Sequence, residues 1–467
     1  MVELSFGAEE KTDVACGAQF QWFPFIALGK SIRLIFGECF GGDRPYFSAN
    51  EAMLDWKTLV RPEDRQGKVM DLEKRTSNHA KVWQSLTTLE SWLHRSQYRA
   101  YDPFDGLSSW LRIFTFRQSI ADRALQQFVR RNPFNIRRFI GIRTHTSTKG
   151  MGFLASGYID LYRLTAREDY RLNAVSCLDW LINNSSKGYP GYCWGNSFDY
   201  ISRSFYLPKG TPTLVWTALI GHHFVEAYRA LRDPKYLEVA MGAGRFILEG
   251  LPRIPGPEGY CLSYICGRET AVHNANLLGA RLLAELYKES RNGLYLDVAM
   301  EAVRYSAKAQ LPNGSWYYGE ERKYHWIDNW HTAYNLDSML GFQKDAGVKE
   351  FEKYMVKGLD FYIAHFFRED GAPRYYWDRD YKFDIQSSSQ SIDTLLLFGE
   401  WLRKPELIEL ATKVALWTIT NMQDKDGFFY LWKNNRFTNR TPTFHWGGTT
   451  MFHALAHLLL TTGRYEN

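Results

Sequence analysis

The chain lacks most of the short signatures that tie a sequence to a chemistry. No phosphate loop, dinucleotide fingerprint or HExxH zinc motif occurs in its 467 residues, so nothing points to nucleotide, dinucleotide or zinc-protease chemistry. Its six cysteines, Cys16, Cys39, Cys177, Cys193, Cys261 and Cys266, form no CxxC pair. Their scattered spacing reads as free thiols and disfavours a Cys261/Cys266 metal site. "DKDG" at 424–427 begins like a calcium loop but lacks the downstream glutamate, and is read as a hairpin turn. No metal or other cofactor is therefore expected. Long apolar runs are also missing. "FQWFPFIALG" at 20–29 is too short to span a bilayer, and the start, "MVELSFGAEEKTD", has no basic segment followed by an apolar one. The expected protein is cytoplasmic. Finally, there is no block of like charge: a net +6 is spread along the chain, which favours an acidic ligand over a nucleic acid.

What is abundant is aromatic. Sixteen Trp, 28 Tyr and 30 Phe make up 16% of the residues; interhelical packing absorbs most of them, and stacking on sugar rings is a use for the remainder. From about residue 148 the chain also repeats. Six segments of small and apolar residues (150–164, 213–231, 271–287, 332–342, 387–402 and 448–460) start at intervals of roughly 55 to 65 residues, a period suited to a helical hairpin with a long loop. Amphipathic stretches such as "GLYLDVAMEAVRYSAKAQL" and "PELIELATKVALWTITNM" separate them. Six hairpins close into a ring with no unpaired apolar end, which predicts an all-α (α/α)6 toroid over residues 76–467 behind an irregular N-terminal extension over 1–75. The sixth outer helix has to come from upstream, from "HAKVWQSLTTLESWLH" or "SSWLRIFTFRQSIADRALQQFV". Asn-Gly and Asp-Gly turns followed by aromatic stretches ("PNGSWYYGE", "EDGAPRYYW", "DKDGFFYLW") predict short β-hairpins in the loops at one mouth.

Loops preceding inner helices converge on that mouth, at helix N-termini that favour acidic groups. They carry His145 and Lys149; Trp194, Asp199, Arg203 and Lys209; Arg268, Glu269, His273 and Asn274; Trp316, Asp328, Asn329 and His331; Trp377, Asp384 and Gln386; and His445 and Trp446. Carboxylates, histidines and amides framed by tryptophans suit a carbohydrate site. Asp328, Asp384, Glu269 and His331 are the candidate catalytic groups and the others, His145 and Lys149 aside, candidate binding groups, although any one acid so near a helix start also suits capping. His222, His223, His365, His453 and His457 lie within helical runs and read as packing or surface residues.

At these loops the sequence resembles the VpsJ-like proteins of bacterial exopolysaccharide biosynthesis clusters, themselves related in fold to six-hairpin glycosidases and terpenoid-cyclase toroids. The stretches that carry the likeness are "CWGNSFDYISRSFYLPKGTPTLV", "ETAVHNANLLGARLLAELY", "NGSWYYGE", "WIDNWHTAYNLDSM" and "FDIQSSSQSIDTLLLF", with "YDPFDGLSS" and "RNPFNIRRFIGI" upstream. The resemblance spans about residues 100–460 and implies fold and pathway better than reaction. Three functions stay open. The first is an enzyme on a polysaccharide or its precursor: a glycoside hydrolase with two flanking carboxyls, or a uronate lyase or C5-epimerase with His331, His273 or a tyrosine as base and Arg203, Arg268 or Lys209 on the sugar carboxylate. The second is a non-catalytic glycan-binding or scaffold protein, with membrane-associated polysaccharide assembly enzymes as its partners. The third, a terpenoid cyclase, is disfavoured because neither a DxDD acid nor a DDxxD cluster occurs; "DRDYKFD" at 378–384 is the nearest approach.

Overall fold

The computed structural model describes residues 62–465 except 203, 204 and 381. Thirteen α-helices dominate this part, and the expected hairpins are all there. The inner helices are α3 (Thr148–Thr165), α5 (Leu214–Leu231), α7 (His273–Ser290), α9 (Asn329–Ala346), α11 (Ile385–Leu402) and α13 (Thr450–Tyr465). Each packs on the next, and α13 packs back on α3, so the ring is closed. Outside lie α4 (Glu168–Asn183), α6 (Pro234–Gly250), α8 (Gly293–Lys308), α10 (Glu352–Phe366) and α12 (Pro405–Met422). The sixth outer position falls to α1 (Pro62–Arg95), which contains the first of the two upstream candidates. Val82, Leu86, Leu89 and Leu93 of α1 join the main core, and Ser85 donates to Gln423 at 2.8 Å.

The second candidate is not one helix. It divides into a 3-10 turn at Trp110–Thr115 and α2 (Ser119–Arg131), because Phe116 and Arg117 both take left-handed conformations, φ 50° and 56°. Two such residues in succession cannot continue a right-handed helix. Of the expected extension, residues 1–61 lie outside the described residues.

Loop length separates the two ends of the ring. Inner helices turn into outer ones through two residues in four hairpins, each with a left-handed residue just past the inner helix: Ala166, Arg232, Arg291 and Arg403, with Gly347 in the same place in the fifth. The opposite end carries all the long loops. There the predicted tight turns form, with Gly314, Gly371 and Gly427 at positive φ. The hairpins beyond them are shorter than expected. Strands β1 (Tyr200–Ile201) with β2 (Tyr206–Leu207), and β3 (Arg253–Pro255) with β4 (Tyr260–Leu262), form two-stranded pairs, and β5 (Phe383–Asp384), β6 (Trp432–Lys433) and β7 (Thr438–Asn439) form a third small sheet. Elsewhere the pairing reduces to isolated bridges such as Val272 with Gly319 and Asp328 with Tyr376. The aromatic side chains of these stretches are spent on packing against the neighbouring loop and on the cavity below.

Closure depends on close approach. Gly157 of α3 faces Phe452 of α13, and a Cβ there would lie 2.7 Å from the ring. Phe452 is fully buried and meets Tyr158 edge-on at 4.8 Å. Phe452→Ala is expected to cost about 3–5 kcal/mol in denaturant unfolding; a loss near the about 0.5 kcal/mol of a surface change would show that the seam is not tightly packed.

Candidate functional site

The mouth loops enclose a cavity of about 1200 Å³, large enough for an oligosaccharide segment. Its wall is aromatic: Phe104, Tyr200, Phe205, Trp216, Tyr264, Tyr318, Trp326, Trp330, Tyr376, Trp377, Trp432 and Trp446 all contribute. Its charges are unequal, eight Lys and Arg against four Asp and no Glu. Burial works on both signs of this wall: it holds Asp102 and Asp384 above the usual carboxylate range and Lys149 and Lys382 below the usual lysine range.

Asp328 caps α9, its Oδ1 accepting from the His331 amide at 3.0 Å. Its Oδ2 accepts from Trp326 Nε1 at 2.9 Å and lies 2.7 Å from His331 Nδ1. A carboxylate oxygen in that position is the acceptor, so Nδ1 carries the hydrogen, and in the neutral ring Nε2 is the atom with the lone pair. Nε2 has no protein partner among the described residues, and His331 lines the cavity between Tyr318, with ring centroids 4.5 Å apart, and Trp330 at 3.5 Å. Asp328 is thus an orienting group, its two oxygens occupied by three donors. Burial holds the Tyr318 phenol well above its ordinary range, so it stays a proton donor.

Asp384 caps α11 through Gln386 N at 3.0 Å and is buried. Burial raises its pKa against the opposing pull of Lys382 and Arg130. Lys382, pushed down to about 8 by burial, sits 3.7 Å over the Tyr375 ring. Asp102 and Lys149 line the same cavity, with Phe104 and Trp446. Burial brings Asp102 up to about 6 and Lys149 down to about 7, each moderating the other, and Lys149 Nζ rests 3.8 Å over Trp216. Sequence reasoning put Lys149 on the wall without a role and missed Asp102, Arg130 and Lys382. A signal for Lys149 existed: a lysine in the first turn of an inner helix opposes the helix dipole.

Other candidates go elsewhere. Trp194 and Trp316 are buried in the core, their Nε1 atoms donating to Leu181 O and Ser306 O. Asp199 accepts from Arg112 at 2.5 Å, from Tyr206 and from the Lys209 amide, a structural cluster, and the Lys209 side chain is exposed. Arg268 and Glu269 are exposed and line no part of the cavity; Arg203 lies outside the described residues. His273 is buried between Ser306 and Glu320, and Asn329 accepts from Tyr362 and Ser391. Gln386 donates to Tyr334. His445 stacks on Phe153 below the cavity, buried with neither ring nitrogen bonded to protein, and burial holds its pKa well below the usual value. Asn274, Trp377 and Trp446 do line the cavity with Asp328, His331 and Asp384.

No protein-family model and no curated protein matches the chain. Solved structures do. A GH76 α-mannanase of Bacteroides thetaiotaomicron superposes with a TM-score of 0.54 at 14% identity, over 69% of this chain and 88% of its own. A sugar epimerase from a ruminal bacterium gives 0.52 at 15% identity over 68% and 88%, and the cellobiose 2-epimerase of Bacillus thermoamylovorans 0.53 at 12% over 68% and 88%. At such identities the likeness establishes the toroid fold.

Lys149 supplies a direct check on the cavity electrostatics. Its labelling by an acylating reagent, followed by peptide mass spectrometry, should rise through about pH 7, whereas surface lysines titrate near about 10. Asp102→Asn removes a charge that favours the ammonium and should move that midpoint lower. A Lys149 profile that follows the surface lysines would contradict the buried-amine account.

Proposed function

We propose that the protein is an enzyme acting on an anionic glycan, removing the proton next to a uronate carboxylate as a lyase or C5-epimerase. The observation that carries this reading is the Asp328–His331 pair, an imidazole with its Nδ1 hydrogen fixed and its Nε2 open to an aromatic cavity whose charge excess is cationic. A base of that kind within reach of an acidified C–H suits proton abstraction. Arg130 and Lys382 would neutralise the sugar carboxylate, which is what makes its α-proton removable. His331 Nε2 then takes the C5 proton. In elimination the C–H electron pair becomes the C4=C5 double bond, the C4–O bond breaks, and the leaving oxygen takes a proton from Tyr318 or Asp384. In epimerisation the proton is returned at C5 from the opposite face.

Asp384 favours a second reading. A buried carboxyl with a raised pKa is suited to the acid role in glycoside hydrolysis, with the partner carboxyl from elsewhere on the wall. The mannanase and the epimerases of the same fold support sugar chemistry of either kind, and the resemblance to VpsJ-like proteins supports a place in exopolysaccharide synthesis.

Proton NMR in deuterated buffer with uronate-containing and neutral oligosaccharides tests these readings. Vinylic protons identify a lyase and exchange of the C5 proton an epimerase, and His331→Ala should then lower turnover by roughly a hundred- to ten-thousand-fold. Asp328→Asn should lower kcat more than it alters KM, because an amide in that place no longer fixes the imidazole. New reducing ends, abolished by Asp384→Asn, would replace the proposal with hydrolysis. Saturation-transfer contacts without turnover would replace it with glycan binding.

A further inference from the structure

One surface of the molecule is apolar where a soluble surface should be polar. Of the sixteen large hydrophobic side chains exposed among the described residues, eight fall between residues 110 and 139: Trp110, Ile113, Phe114, Phe116, Ile120, Phe128, Phe134 and Phe139. Phe116, Ile120 and Phe139 are 81%, 88% and 82% exposed. The others are scattered singly along the chain and need no explanation. These eight belong to one small module. Val129, Ile140 and Ile142 form a core of their own, with Leu111, Leu125 and Ile136 packed on it, and Trp110 N and Ser109 Oγ both donate to Ile140 O. The module is built, and its large apolar groups still point outward.

Helix α2 shows how. Its inward face is Asp122, Gln126 and Val129, held by polar contacts: Asp122 accepts from Thr115 and Arg112, while Gln126 donates to and accepts from the backbone of Ile201. Ile120, Ala124 and Phe128, at i, i+4 and i+8, form the exposed stripe. Arg123, Gln127 and Arg130 run beside it along the cavity.

The charge on the same surface has one sign. Arg117, Arg123, Arg131, Arg138 and Arg143 are exposed and have no salt bridge among the described residues. The one acid between residues 110 and 143, Asp122, is buried, so the five exposed cations have no exposed acid within their own segment. Aromatic and aliphatic side chains interleaved with unopposed arginines fit the headgroup boundary of an anionic bilayer, where rings enter the acyl edge and guanidinium groups meet phosphate. No described helix is long and apolar enough to cross a membrane, so the contact would lie on the surface.

We propose that residues 110–143 dock the protein on anionic lipid membrane, with α2 contacting lipid by its apolar stripe and the cavity by its arginine edge. The glycan entering the mouth is then one held at the headgroup layer. Docking stands independently of the reaction proposed above.

Flotation of the full chain with protein-free vesicles tests it. Binding is expected to phosphatidylcholine vesicles containing phosphatidylglycerol, and to be weaker with phosphatidylcholine alone and at high salt. The combined Arg117→Gln, Arg138→Gln and Arg143→Gln variant, whose changes lie outside the cavity, should partition about a hundredfold more weakly. Phe114→Ser with Phe139→Ser should also release the protein. Both variants replace exposed groups, so their thermal unfolding and their turnover of a soluble oligosaccharide should match the parent; loss of turnover everywhere bears on the catalytic reading alone. No flotation on either vesicle, flotation on cell-derived membranes only, or flotation unchanged in both variants would overturn the proposal, the second result indicating a protein partner.

Discussion

Every loop at the mouth hangs from the start of an inner helix, whose first amide groups need acceptors, and this requirement organises the rest. Ser147, Thr213, Asp328 and Asp384 supply side-chain caps to α3, α5, α9 and α11. Three of these residues, and Val272 at the start of α7, also tie the ring together. Thr213 bridges to Ile265, Val272 before α7 to Gly319, Asp328 to Tyr376, and Asp384 pairs with Trp432, so each of these cap residues joins its backbone to the loop of the next repeat. Asp328 therefore does three things with one residue: its backbone sets the spacing of two loops, Oδ1 ends a helix, and Oδ2 holds His331. The position of the imidazole is fixed by contacts that the fold needs anyway.

Charge inside the ring divides into two populations. Around the axis, acids and bases are matched. His222 lies 2.7 Å from Glu285 and accepts from Arg281, and Asp393 stands between His453 and His457 at 3.2 and 3.0 Å. Burial opposes the charge on Asp393, yet the two histidines outweigh it and hold the carboxyl down to about 2, while His453 rises to about 9. Such mutual compensation is what buried charges require. At the mouth the balance fails. Burial pushes Asp102, Asp384, Lys149 and Lys382 alike toward the neutral form, while the arginines of the wall keep their charge, and in a partly dehydrated cavity that charge acts at close range on whatever enters. The anionic glycan proposed above would satisfy both features of that wall.

The repeat was legible because small-residue helices and amphipathic helices differ in composition, and a closed ring follows from six of each. The inner helices, the tight turns and the shared end of the loops all emerge from that pattern. Side-chain destinations do not. Trp194 and Trp316 lie in mouth loops as do the tryptophans that line the cavity, and their buried Nε1 bonds to Leu181 and Ser306 mark them as packed into the core. Asp102 and Lys149 are far apart in the chain and line one cavity only because the fold brings the first mouth loop to the start of α3. The histidines of the axis, read as packing residues, belong to a polar network because α5 and α13 bring His222, His223, His453 and His457 together with acids of α3, α5, α7 and α11. Asp328 and His331 were legible as a pair, but not their division of labour, since the three donors on the carboxylate come from the folded loop.

Helix α2 shows the limit of periodicity most directly. Its apolar spacing is that of an outer helix, and spacing alone gives no reason to expect the apolar stripe to face away from the core. The reversal follows from two anchors outside the periodic pattern. Arg112, bound to both Asp122 and Asp199, and Gln126, paired with Ile201, pull the polar face of α2 against the loop of the next repeat. Once that face is committed, Ile120 and Phe128 are left outside, at a cost in exposed apolar area that a solitary soluble protein has no reason to carry. The polar anchors place arginines over the cavity and hydrophobic side chains on the outer surface in one step. The two proposals, a charged glycan in the cavity and a membrane at the outer surface, therefore meet in the geometry of a single short helix.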